Sequence, residues 1–129
     1  MTLPPAASSG HHHGAERRRH PRFPASNRLV GTLLAQNLPV RIRDIGAGGF
    51  SVETMEPVKT GSTEPVRFIA SDDWSAVLDA RSLHCRPSVS PDGLPLFVTG
   101  YAFVNSGTAD RAVLTLIEKV TSVRMSEED

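Results

Sequence analysis

The feature that most constrains the fold is an alternation of apolar and polar residues in short segments from Arg28 onward. In "PVRIRD", Val40 and Ile42 fall on one face of an extended chain, and the two arginines of the segment fall on the other. Side chains of a strand alternate between its faces, so a period of two predicts a half-buried strand. Stretches of Gly, Pro, Asn, Asp and Ser separate the segments. The pattern therefore predicts an all-β domain.

The alternation predicts six strands. In chain order they are Leu29–Ala35, Pro39–Asp44, Phe50–Thr54, Glu64–Ser71, Ala76–Arg86 and Leu96–Val104. The last of them follows "SPDG", in which Pro91 and Gly93 suit the positions of a hairpin turn. It is apolar at nearly every position, which indicates a strand buried on both faces.

The segment 108–123, "TADRAVLTLIEKVTSV", has a different period. It contains no Gly or Pro, and Asp110 in its first turn suits the positive end of a helix dipole. Its apolar residues recur at intervals of three and four, at Val113, Leu116, Ile117 and Val120. This spacing predicts an amphipathic helix. We therefore expect a small six-stranded antiparallel β-barrel with a C-terminal amphipathic helix.

The length of 129 residues suits one domain. Residues 1–15 are rich in Pro, Ala, Ser and Gly, and are predicted to be a disordered tail. A single domain is expected over residues 16–123, with a basic arm at 16–24 and the helix at its end. Residues 124–129 are predicted to form an acidic tail.

Composition excludes several classes of function. Fourteen basic and fourteen acidic residues cancel, so no overall field would attract nucleic acid or an anionic membrane. No apolar run approaches the ~20 residues of a membrane span, and a cytoplasmic location is expected. The single cysteine, Cys85, excludes an intrachain disulfide and suits a small buried hydrophobe. His11–His13 lacks a second ligand group, so no metal site is predicted.

The sequence "RDIGAGGFSVE", residues 43–53, places three glycines within four positions. Phosphate-binding glycine loops lead into a helix N-terminus, whereas here an alternating strand follows. A tight or bulged connection between antiparallel strands explains the glycines. Asp44 either accepts hydrogen bonds from the turn itself or presents its oxygens to a ligand.

The sequence "ERRRHPRFP", residues 16–24, contains four arginines and no lysine. Its two prolines disfavour a continuous helix and favour an extended arm. Guanidinium groups bind phosphate and the O6/N7 edge of guanine with paired hydrogen bonds. A carboxylate such as Asp44 can accept from the opposite edge of guanine. The arm and Asp44 together suit a guanine nucleotide, although such an arm could also contact nucleic acid or be a solvated surface.

These two segments resemble the signature of the PilZ domain, a bacterial receptor module for cyclic di-GMP. Arg18 and Arg22 in "RRHPR" match the family pattern R-x-x-x-R, and Arg17 is an additional preceding arginine. Asp44 and Gly49 in "DIGAGG" match the ends of D/N-x-S-x-x-G. The late strand "TGYAFV" resembles the Gly-x-x-Phe strand of the family. The resemblance extends over roughly residues 16–122.

The resemblance implies a receptor that binds cyclic di-GMP, possible also as an intercalated dimer, and that passes the signal to a protein partner. The arginines would bind phosphates and Hoogsteen edges, Asp44 would bind a Watson–Crick edge, and the arm would order over the barrel. The implied ligand-binding residues are Arg17, Arg18, Arg22, Asp44, Gly46 and Gly49. No nucleic-acid partner and no cofactor are expected.

Gly46 departs from the family, which usually has serine at this position. Loss of one hydrogen bond would weaken binding by ~0.5–1.5 kcal/mol, which is up to about tenfold. The alternative is a degenerate PilZ module that binds no nucleotide and acts as a protein interaction adaptor, with Trp74 or Phe97 on its contact surface. An enzyme is not expected, because His20 and His84 lack a recognisable nucleophile or metal partner at informative spacing.

Overall fold

The structure is a computed structural model that describes residues 21–104 and 107–128. These residues form seven strands and one helix. The strands are β1 (Arg22–Pro24), β2 (Leu29–Leu33), β3 (Leu38–Gly46), β4 (Gly49–Thr54), β5 (Thr63–Ala70), β6 (Ser75–Val89) and β7 (Pro95–Phe103). The helix, α1, is Gly107–Glu128.

Six of the strands form a closed antiparallel barrel. Around the barrel the order is β3, β2, β5, β6, β7 and β4, and β4 pairs again with β3. Each neighbouring pair is antiparallel. Closure leaves no bare edge around the ring, which is how a small antiparallel sheet avoids unpaired backbone groups. The prediction of a six-stranded antiparallel barrel followed by a helix is confirmed.

Strand β1 is an addition to the barrel that comes from the end of the predicted basic arm. Strand β3 is longer than its partner β2, and residues 38–41 pair with β2. Farther along, β3 pairs with β1, placing Arg22 opposite Gly46 and Pro24 opposite Asp44. The arm is therefore extended at residues 22–24, as its prolines predict, and it lies against the end of β3.

The barrel interior is filled by aromatic and branched side chains. Phe50 stacks on Tyr101 with ring centroids 5.0 Å apart, and Phe68 meets Phe50 edge-on at the same separation. All three side chains are almost wholly buried. Offset-stacked and edge-to-face arrangements are the ones that the aromatic quadrupole favours. These rings form the centre of one continuous core.

Helix α1 covers one end of this core. Val113, Leu116 and Val120 are buried in the core and Ile117 is half-buried, which confirms the predicted apolar face. The helix contacts β1, β3, β5 and β6. It therefore lies beside the arm strand as well as against the barrel.

Some element ends differ from the predictions. Strand β2 ends at Leu33 because the chain turns at residues 34–37, with Asn37 at a φ of 52°. Helix α1 extends to Glu128 and so includes most of the segment predicted as an acidic tail, 124–129. Residues 124–128 contain no Gly or Pro, so no strong helix breaker is present. The predicted "SPDG" turn is confirmed, with Gly93 at a φ of 85°.

Candidate functional site

The candidate site lies on the outer surface of the barrel, where β1 joins β3. Ile45 points inward and is wholly buried, so Asp44 and Gly46 on either side of it face outward. Arg22 and Pro24 lie opposite them on β1. Residues paired directly across antiparallel strands share one face of the sheet. Pairing thus brings Arg22 and Asp44 to the same face although 22 positions separate them in sequence.

Arg22 and Asp44 form an ion pair at this joint. Arg22 Nη1 donates a hydrogen bond to Asp44 Oδ1 at 2.7 Å, and the two side chains are 24% and 29% exposed. Charge-assisted bonds of this length are among the stronger hydrogen bonds in proteins. Because both groups keep access to water, a pair of this kind contributes ~0.2–1 kcal/mol. A ligand that offers each group a better partner could open the pair at small cost.

Gly46 allows the arm to approach β3 closely. A Cβ atom at this position would lie 2.5 Å from the carbonyl oxygen of Pro21 and 3.0 Å from Cδ of Arg22. The first of these neighbours is backbone, so a side chain at position 46 would displace the arm. The place of the usual serine side chain is therefore filled by β1 in this chain.

A different structural constraint explains why position 49 is a glycine. A Cβ atom there would overlap the backbone carbonyl oxygen of Tyr101, because β4 and β7 pair closely at this point. The residue is buried. The structure thus explains the last glycine of the motif by strand packing, and its contact with a ligand stays a prediction.

Two further arginines lie beside the site. The β3–β4 pairing shifts register between Ile42 and Asp44, so Arg43 lies in a β-bulge. Its Nε is 3.3 Å from Oε2 of Glu53, and Arg41 Nε is 4.0 Å from the other oxygen of Glu53. The alternation in the sequence places these two arginines on a polar face and predicts no role for them. A period of two reveals the face of a residue and carries no signal for a bulge.

The face extends from Asp44 to β4, β7 and β6. Asp44 lies opposite Ser51, Ser51 opposite Gly100, and Gly100 opposite His84. His84 is exposed, and its ring occupies the space that a Cβ atom on Gly100 would need. It is thus a surface histidine. Ser51 was not identified from the sequence.

Among the residues that the structure describes, Arg22 and Asp44 lie on an open face of the barrel. A groove of about 410 Å³ lies next to it, beside β2, β3 and the end of β4. Val40, Leu38 and Met55 make its wall largely apolar, and Arg41 and Glu53 lie at its border. Arg22 and Asp44 do not line this groove.

Several residues named from the sequence lie outside the described part of the chain. These are Arg17, Arg18, His20 and His11–His13. Within residues 21–104 and 107–128, no group of three or more His, Cys, Asp or Glu side chains could hold a metal ion. No helix in the same part of the chain has the length and apolarity needed to cross a membrane.

Other residues named from the sequence have structural surroundings that explain them. Cys85 is a free, half-buried thiol that accepts a hydrogen bond from the Val58 N–H at 3.5 Å. Trp74 is half-buried and packs against the core cluster, and Phe97 is half-buried on β7. Neither aromatic side chain is among the large exposed apolar residues of the described surface.

Two features define the structural class. One is a small closed barrel followed by a C-terminal helix, and the other is an arginine and an aspartate that form an ion pair where an N-terminal arm meets the barrel. Residues 16–118 match the family model of the PilZ domain. The chain belongs to the PilZ domain family.

Solved structures support the same fold. The PilZ domain with c-di-GMP of YcgR from Escherichia coli is 20% identical with a TM-score of 0.69, and the match covers 88% of this chain and 98% of that one. YcgR from Escherichia coli in complex with c-di-GMP is 22% identical with a TM-score of 0.66, and the match covers 88% of this chain and 50% of that one. MrkH in the K. pneumonia MrkH–c-di-GMP complex is 15% identical with a TM-score of 0.67, and the match covers 88% of this chain and 56% of that one. The chain thus spans about half the length of these last two proteins. A search of curated protein sequences finds no significant match.

Proposed function

We propose that this chain is a cyclic di-GMP receptor whose ligand site is built from the arm and the barrel face beside it. The observation that carries the proposal is the Arg22–Asp44 pair. Family membership and the three solved PilZ structures whose descriptions name c-di-GMP support the ligand class. Arg17, Arg18, Gly46 and Gly49 complete the proposed set of binding residues.

The chemistry of the ligand fits the two paired groups. A guanidinium offers two parallel donors to a phosphate or to guanine O6 and N7, and a carboxylate accepts from N1–H and the 2-amino group. Each group satisfies the other when no ligand is bound. Binding would replace one ion pair by two sets of charge-assisted hydrogen bonds, and the arm would then close over the nucleotide.

The arm provides a route from the ligand to a partner. Strand β1 has three residues, and helix α1 contacts both β1 and β3. A ligand that separates Arg22 from Asp44 would change the position of β1. Because helix α1 packs against β1, the helix would shift as well. We propose that a protein partner recognises this rearranged surface, and that the chain acts in the cytoplasm as a receptor and not as an enzyme.

Calorimetric titration of the full chain with cyclic di-GMP tests the proposal. We expect saturable binding, and a stoichiometry of two ligands per chain is the value required of an intercalated dimer. Absence of binding at ligand concentrations near 100 μM, which corresponds to roughly −5.5 kcal/mol, would contradict the proposal. It would favour the alternative of a non-binding adaptor, which the filled space at Gly46 also supports.

Substitutions separate ligand recognition from charge attraction. Arg22→Ala and Asp44→Ala should each weaken binding by ~1.5–3 kcal/mol, or roughly 10- to 150-fold, since each removes hydrogen bonds to a charged group. Arg67→Ala removes the same charge from an exposed position on β5 and is the matched control. A nucleic-acid arm would instead give a steep salt dependence, and Asp44→Ala would leave its binding unchanged or improve it.

A further inference from the structure

Ser51 lies next to Asp44 on the outer face of the barrel. The two residues are directly paired across β3 and β4. Phe50 and Val52, on either side of Ser51, are wholly buried in the core, so the serine side chain points outward. Directly paired residues have Cβ atoms ~4.5–5.5 Å apart, so the hydroxyl and the carboxylate are immediate neighbours.

Within the described part of the chain, the hydroxyl of Ser51 has no hydrogen-bond partner. Its oxygen is one of two buried side-chain oxygen or nitrogen atoms without a partner among the described residues, and the other is Thr99 Oγ1. A buried hydroxyl without a partner destabilises the folded chain, whereas alanine at the same position would not. Such a group calls for a reason other than stability.

The missing hydroxyl at Gly46 supplies that reason. A serine side chain cannot occupy position 46 while β1 lies against it, because the Pro21 carbonyl oxygen fills the space. Ser51 is on the same face, on the other side of Asp44 from β1, and its side chain does not compete with β1 for space. Its hydroxyl can thus reach the same ligand edge from the neighbouring strand.

We propose that Ser51 replaces the serine of the family motif and donates a hydrogen bond to O6 of the guanine whose N1–H and 2-amino group Asp44 accepts. This inference rests on the proposed function. N1–H and O6 are adjacent on one edge of guanine, so a neighbouring carboxylate and hydroxyl match them in order. Adenine carries an amino donor in place of O6, so the same pair of residues would also discriminate between the two purines.

The Ser51 oxygen is covered by its surroundings when no ligand is bound. Opening of the Arg22–Asp44 pair would free the carboxylate beside it, and ligand binding would also have to uncover the hydroxyl. Beyond Ser51, Gly100 contributes no side chain, and the His84 ring lies in its place. A guanine held by Asp44 and Ser51 would therefore have an imidazole ring at its far border.

The first test compares Ser51→Ala with the unchanged chain by calorimetric titration with cyclic di-GMP and by thermal unfolding. We expect affinity to fall about two- to tenfold, with an unfolding temperature that is unchanged or higher. Thr99→Val is the matched control, because it removes the other hydroxyl that has no partner among the described residues. Thr99 lies on the inner side of β7, between the outward-facing Val98 and Gly100, and so away from the proposed site. Its affinity should not change.

Three results would overturn the inference. One is an unchanged affinity in Ser51→Ala, another is an equal loss in Thr99→Val, and the third is a loss of affinity that comes with a lowered unfolding temperature. If the unchanged chain binds and Ser51→Ala binds equally well, this inference alone fails. If the unchanged chain does not bind at all, the proposed function fails with it.

A second ligand tests the assigned atom. Cyclic di-IMP keeps O6 and N1–H and lacks the 2-amino group. Ser51→Ala should therefore weaken both ligands by the same factor, whereas Asp44→Ala should have a smaller effect on cyclic di-IMP than on cyclic di-GMP. A Ser51→Ala effect that disappears with cyclic di-IMP would place the hydroxyl at the amino group and overturn the assignment to O6.

Discussion

The barrel interior and the arm joint are held by different physics. Interior side chains such as Phe50, Phe68 and Tyr101 are excluded from water and pack ring against ring. The joint consists of a three-residue strand and an ion pair whose members are about a quarter exposed. Burial of large apolar groups contributes far more stability than a partly exposed ion pair.

This difference suits the proposed receptor, in which one part would stay fixed while another moves. Ligand binding can disrupt only interactions whose free energy is smaller than the free energy of binding. The ion pair at the joint is weak enough to meet this condition. The interior is too stable to be disrupted in this way, so the strands that carry Asp44 and Ser51 should keep their positions. Substitutions in the two regions should therefore have separable effects on stability and on binding.

The largest expected effect is on the interior. Phe50→Ala removes a wholly buried ring that contacts three other aromatic rings, and should lower the free energy of unfolding by ~3–5 kcal/mol. Denaturant unfolding followed by circular dichroism measures the loss. Arg22→Ala is the comparison at the joint, and should lower the free energy of unfolding by about 1 kcal/mol or less. Equal losses in the two variants would show that the joint is as stable as the core.

Two glycines of one motif sharpen the comparison at intermediate scale. Gly49→Ala forces a methyl group against the Tyr101 carbonyl within the barrel, and should destabilise the chain by ~1–3 kcal/mol. Gly46→Ala presses on the arm, which can move away, so the global loss should be smaller while the β1 amide protons exchange faster with solvent. Hydrogen exchange and denaturant unfolding test both variants. The reverse order of stability losses would contradict the distinction.

The last effect appears only at alkaline pH and has no counterpart at neutral pH. Burial, with a contribution from Glu64, raises the pKa of Tyr101 well above its ordinary value of 10.0. The folded chain keeps the phenol neutral where the unfolded chain ionises it, so the stabilisation is complete below pH ~10 and decreases as pH rises above that value. The slope is about 1.4 kcal/mol per pH unit from this group. Tyr101→Phe should remove that part of the slope, measured by unfolding at several pH values.

The same pH series has a direct optical check. Tyr101 is the single tyrosine in the sequence, so phenolate absorbance reports it without overlap from a second tyrosine. Ionisation at the ordinary pKa in the folded chain would contradict a buried phenol that donates to Glu64 Oε2 at 3.3 Å.

Local pattern predicted the barrel because most of its strands follow a period of two and the helix follows a period near 3.6. Local pattern could not predict which strands pair with each other, since pairing and register depend on contacts between distant segments. Arg22–Pro24 is too short and too rich in proline to show a strand period. Its pairing with β3, and hence the Arg22–Asp44 bond, arises from tertiary structure.

Within the site, the motif identified Asp44 but not Ser51. An outward serine between two apolar residues is ordinary on a half-buried strand, and nothing in its neighbours along the chain marks it. Its significance depends on the bulge at Arg43, which sets the register that places Asp44 opposite it. Gly46 was interpreted from the sequence as a missing hydroxyl, whereas the structure shows that the arm occupies the space.

The unequal lengths of β2 and β3 have a consequence for solubility. Residues 44–46 of β3 project past β2, and β1 is what pairs with them. A chain shortened to begin at Ala25 would leave the N–H and C=O groups of that projection as a bare strand edge, which is a template for pairing with another molecule. The arm is thus a protective cover for the barrel as well as a part of the proposed site. Any motion that lifts it exposes an edge that a partner strand could join.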